Sequence, residues 1–119
     1  MNISKFTQKS IQAINQLEKV AYDFGNQEIE QEHLLYSLLH QEDSLILKLV
    51  EKMEIQKEQF LNRLDELIGK RTNVSGGQPY IGQYLNKSMI NAEDEAKAMG
   101  DEYVSVEHLF LSMPFFWSV

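Results

Sequence analysis

The chain has 119 residues, 43% hydrophobic and 24% charged, with a formal net charge of −7; that is enough for one domain with one core and too short for two. The acidic balance, with no basic stripe, argues against nonspecific nucleic-acid binding. There are no cysteines, so a disulfide framework and thiolate chemistry are excluded; no run reaches the roughly 18 apolar residues of a membrane span, and MNISKFTQKS lacks a signal peptide's apolar stretch, so a cytoplasmic location is expected.

Helical periodicity dominates. A first helix is predicted over 7–24, with Thr7 as N-cap, Ile14, Leu17, Ala21 and Phe24 on its stripe, and Gly25 as the left-handed stop. A second spans about 31–41 and buries Leu34, Leu35, Leu38 and Leu39. A third, over 44–53, is capped by Ser44 and turns Leu45, Leu49, Val50 and Met53 inward. The fourth, QKEQFLNRLDELIG, presents Phe60, Leu61, Leu64, Leu67 and Ile68 before Gly69. The stretch KRTNVSGGQP then reads as a connector. A fifth helix covers about 82–99, with Leu85, Met89, Ala92, Ala96 and Met99 on one side. The sixth begins near Ser105 or Val106, carries Leu109, Phe110 and Met113, and stops at Pro114.

Shifted by 75 positions, the first half falls on the second. Glu18, Ala21 and Gly25 meet Glu93, Ala96 and Gly100; Glu32-His33-Leu34 meets Glu107-His108-Leu109; Ser37 meets Ser112. A stop glycine, a loop and a helix start in common register indicate a duplicated helical unit whose copies pack together. The expected fold is all-α, in two related repeats. Repeat one covers about 4–69, a linker 70–80, and repeat two about 81–113, cut short after its second helix, with an atypical tail at 114–119. That ending reads as a truncation, a frameshift or an engineered tail. Phe115, Phe116 and Trp117 are expected to fold back as a cover, or the open face to drive homodimerisation.

Catalytic signals are weak. GKRT at Gly69–Thr72 resembles the end of a Walker A loop, but Leu64 and Arg71 stand where glycine and Ser/Thr are required. The three histidines lack zinc-ligand spacing and read as helix-start and surface residues. Glu32 and Glu107 lie in first turns, where free amides and the helix dipole favour a carboxylate.

With KFTQKSIQAI, FGNQEIEQEHLLYSLL and AMGDEYVSVEHLFLSM in hand, the chain resembles the N-terminal domain of the Clp/heat-shock ATPases, over about residues 4–113. GGQPYIGQYLNK and INAEDEAKAMGDEYVSVEHLFL are most similar to the ClpB, or disaggregase, branch. The resemblance implies a non-enzymatic module that binds exposed apolar segments of unfolded or aggregated proteins and passes them to the AAA+ ring of its own parent chain. ATP and magnesium would belong to that parent, with no cofactor or metal in this segment. It also implies substrate-handling roles for Thr7, Asp101 and Glu107, and an apolar groove by the fifth helix formed by Leu85, Met89 and Leu109, with Tyr84 and Tyr80 at the rim. A ClpC- or ClpA-like alternative assigns Glu32 and Glu107 to phosphoarginine or an adaptor protein. Gln31 and Val106 replace that branch's threonine before Glu-His. A third reading makes the domain a purely structural module that positions the ring.

Overall fold

Thr7 opens the first helix in the computed structural model, which describes residues 3–74 and 76–114. Its hydroxyl accepts from the Ser10 amide at 3.2 Å, satisfying one of the first-turn donors that a helix leaves unpaired. Helix α1 (Gln8–Asn15) gives way to α2 (Leu17–Asp23), so the predicted single helix is broken at Gln16. The cause is a side chain in the ladder. Ser37 donates its hydroxyl to the Ala13 carbonyl at 2.7 Å, and the Gln16 amide takes the same carbonyl in a tighter turn at 3.3 Å.

The chain continues through β1 (Glu28–Ile29), α3 (Gln31–Leu39), α4 (Leu45–Lys52) and α5 (Lys57–Gly69). A strap over 70–79 then leads into β2 (Tyr80–Ile81), α6 (Gln83–Ala98) and α7 (Val106–Leu111). The fold is helical, as expected; the two-residue strands were too short to show a period of two. Helix α3 is the central post, packed on α1, α2, α4, α5, α6 and α7. Its Leu34, Leu35, Leu38 and Leu39 are buried with Ile46, Leu64, Ile68, Met89 and Leu109 in one core.

The duplication appears in matched backbone features. Gly25 and Gly100 adopt φ of 74° and 73°, a region open to glycine at little cost. Behind them the Asn26 amide reaches the Ala21 carbonyl, and the Asp101 amide the Ala96 carbonyl, both at 2.8 Å. Each copy's lead-in strand pairs with the other copy. Ile81 lies beside Ile29 in the parallel β1–β2 pair, and Phe6 beside Val104. The Gly82 amide donates to the Ile29 carbonyl at 2.8 Å, and the Thr7 amide to the Val104 carbonyl at 3.0 Å.

Some predicted faces differ. In α4 the core residues are Ile46 and Val50, while Leu45 and Met53 are exposed and Leu49 is half-covered; the preceding turn, with Asp43 at φ 55°, delivers the helix rotated from the predicted stripe. Met99, expected inward, is 61% exposed. The cover expected from Phe115 to Trp117 lies outside the described residues.

Candidate binding site

Two predicted positions, Glu32 and Glu107, sit on two pseudo-equivalent helix starts. At the first, the Glu30 amide donates to His33 Nδ1 at 2.9 Å, and His33 Nε2 faces Asn26 Oδ1 at 2.9 Å. At the second, the Ser105 amide donates to His108 Nδ1 at 2.9 Å, and His108 Nε2 faces Asp101 Oδ2 at 3.0 Å. An Nδ1 that accepts leaves the proton on Nε2, so each imidazole donates to Asn26 or Asp101. These two histidines are buried, correcting the surface placement; only His40 is exposed. Burial, aided by the Arg71 cation, lowers the His33 pKa to about 4. Among the described residues no cluster of His, Asp and Glu could hold a metal ion.

The two glutamates are not equivalent in their surroundings. Glu32 accepts from Arg71 Nη1 at 2.8 Å, and the same guanidinium reaches Glu28 with Nη2 at 3.1 Å. Glu107 is exposed, and no described residue makes a hydrogen bond or ion pair with it. It borders a mainly apolar depression of about 380 Å³ between the starts of α1, α4 and α7, with Thr7, Leu45 and Val106 in its lining. Thr7 and Glu107, a hundred positions apart, are thus brought together. Asp101 is not in that lining; it stands beside His108 at the end of α6, with half its side chain exposed.

The predicted apolar groove is corrected. Leu85, Met89 and Leu109 are core residues with 1% exposure or less, because α6, which carries Leu85 and Met89, and α7, which carries Leu109, pack on each other and on α3. Tyr84 and Tyr80 do lie on the surface, at 66% and 52%. A larger cleft of about 680 Å³ runs between α1–α2 and α3, past the stacked rings of Tyr36 and His40, and holds none of the predicted residues.

Sequence reasoning passed over three residues. Leu45, expected inward, supplies exposed apolar surface at the depression (43%). Arg71, in the sequence a departure from the Walker pattern, is the cation that pairs with Glu28 and Glu32. Glu30, nearly fully buried, accepts from the Tyr84 and Leu85 amides at 3.3 and 2.8 Å and so caps the helix of the other copy. The signal was available for Glu30: its mate Ser105 is an N-cap, and at Gly82 the second copy lacks the side-chain cap that Thr7 supplies in the first.

The Clp repeat (R) N-terminal domain family matches residues 5–114. The chain is 42% identical over 115 residues to chaperone protein ClpB of Nitratidesulfovibrio vulgaris, covering 92% of this chain and 13% of that protein. It is 40% identical over 113 residues to ClpB of Porphyromonas gingivalis, covering 95% and 13%. Among solved structures it resembles the Hsp104 N-terminal domain from Candida albicans, with a TM-score of 0.83 at 20% identity over 96% of this chain and 76% of that one. The N-terminal domain (1–163) of the ClpV1 ATPase of E. coli gives 0.83 at 19%, over 93% and 68%. The chain thus spans 13% of the length of these two curated relatives. Among the described residues no helix is long and apolar enough to cross a membrane.

Proposed function

Given that the chain belongs to the Clp repeat N-terminal domain family, we propose that it is the client-engaging module of a ClpB-type chaperone, weakly holding exposed apolar segments of unfolded or aggregated proteins before an ATP-driven ring acts on them. The observation that carries this reading is the meeting of Thr7 and Glu107 at one apolar depression with Leu45 exposed beside them. A shallow, open surface suits a relay, since a client held tightly is not passed on. Thr7 also caps α1, so its contribution to binding is inseparable from stability; Leu45 and Glu107 are the cleaner probes.

The phosphoarginine reading, which uses Glu32 and Glu107 as a pair, is less well supported because Arg71 already engages Glu32. ATP chemistry is assigned to the rest of the parent chain.

The test is a titration of isotope-labelled chain with a permanently unfolded protein. Amide shifts are expected at Thr7, Leu45 and Glu107, and Leu45→Ser and Glu107→Ala should each weaken binding about fivefold with the melting temperature unchanged. Shifts confined to the Tyr36–His40 cleft, or none anywhere, would overturn the proposal and favour the ring-positioning alternative.

A further inference from the structure

The strap of the first copy shows what kind of ligand the second copy fits. Residues 71–74 and 76–80 lie beside the loop that precedes α3. The Val74 amide donates to the Gly25 carbonyl at 2.9 Å, and the Tyr80 amide to the Gln27 carbonyl at 3.0 Å. Arg71 reaches across to Glu28 and Glu32 with both ends of its guanidinium. The loop is therefore held by an extended segment carrying one arginine.

The equivalent loop before α7 has the same backbone, as its stop glycine, histidine lock and strand pairing show. Among the described residues, none covers it in this way. The Gly100 and Glu102 carbonyls, mates of Gly25 and Gln27, accept no hydrogen bond from any described residue. Glu107, mate of Glu32, is likewise unpaired. The segment leading into α1 pairs with this loop at Val104, through Lys5 and Thr7. Asp101 replaces Asn26 and adds a carboxylate; Tyr103, 48% exposed, replaces Glu28 and offers a ring face to a guanidinium. The stretch from residue 100 to 107 carries three carboxylates and no lysine or arginine, while Lys9 lines the depression that Glu107 borders, so a further cation is favoured on the Asp101 side of Glu107.

We propose that the surface formed by Asp101, Tyr103 and Glu107 receives an extended segment of another polypeptide bearing an unmodified arginine, docked as the chain's own strap docks on the first copy. This deepens the client-binding reading and rests on it, naming the class of segment taken. Arginine is preferred to lysine because its planar guanidinium pairs with a carboxylate such as Glu107 as a fork and stacks on an aromatic face such as Tyr103. A phosphorylated arginine would set its negative charge against Asp101 and Glu102.

The probe is the undecapeptide KRTNVSGGQPY, the strap's own sequence, titrated into isotope-labelled chain beside a version with citrulline for arginine, a phosphoarginine version, and an arginine-free peptide rich in leucine and phenylalanine. Shifts are expected at residues 100–107. The citrulline peptide and the Glu107→Gln variant should each weaken binding about tenfold, and the phosphoarginine peptide should bind more weakly than the plain one. Equal binding of the citrulline peptide, tighter binding of the phosphoarginine peptide, or shifts only at 25–32 through strap exchange would overturn the proposal. Binding of the apolar peptide at Thr7 and Leu45 without any arginine effect would sink it and leave the client-binding reading standing. No response to any peptide would remove both.

Discussion

Two residues are held in place by neighbours that leave them no alternative. His33 is fully buried and neutral, with both nitrogens committed. Its pKa, lowered to about 4, lies below the ordinary value of about 6.5, so the unfolded chain binds this proton more readily than the folded one. The contribution of this group to stability is complete above pH 6.5, falls as the pH drops, and is lost below 4. About 2 kcal/mol should be gone at pH 5 and about 3 at the acid end, measured as the shift of the urea midpoint between pH 7 and pH 4. Gly82 is the second case. A methyl group there would sit 2.4 Å from the Glu30 carboxyl carbon. Gly82→Ala should dislodge Glu30, leave the Tyr84 and Leu85 amides without their acceptor, and destabilise the fold by about 1–3 kcal/mol in thermal melts.

Among the elements, the break at Gln16 is a property of two helices together. Ser37→Ala frees the Ala13 carbonyl, so the Leu17 amide should become more protected from hydrogen exchange, at a stability cost of about 1 kcal/mol. Periodicity placed the helices of both copies, and the 75-residue shift placed their starts, because those signals are local or exactly repeated along the chain. The break was illegible because its cause lies 24 positions away on α3. The strap was equally hidden: Arg71 is an ordinary cation until tertiary structure sets it between Glu28 and Glu32. In the site, Thr7 and Glu107 were named through family resemblance, whereas the exposure of Leu45 depended on a helix rotation that a stripe of leucines does not encode. Arg71→Ala should speed exchange of the Val74 amide while costing less than about 1 kcal/mol overall, since its partners are partly solvated.

Across the whole molecule, α3 joins the copies. Leu38 is fully buried on the helix that touches every other one, and Leu38→Ala should cost about 2–5 kcal/mol in denaturant unfolding, whereas Leu45→Ala, at a solvated site, should cost well under that. The exchange of lead-in strands has a topological corollary. The pair Phe6–Val104 and the pair Ile29–Ile81 both join residues on opposite sides of Gly76 and Gly77. A protease that nicked the backbone between those glycines would therefore produce two pieces, neither of which could close a β pairing by itself. Mixed after denaturation, the pieces should reassemble into one stoichiometric complex with the parent's far-ultraviolet spectrum, and each alone should stay unstructured.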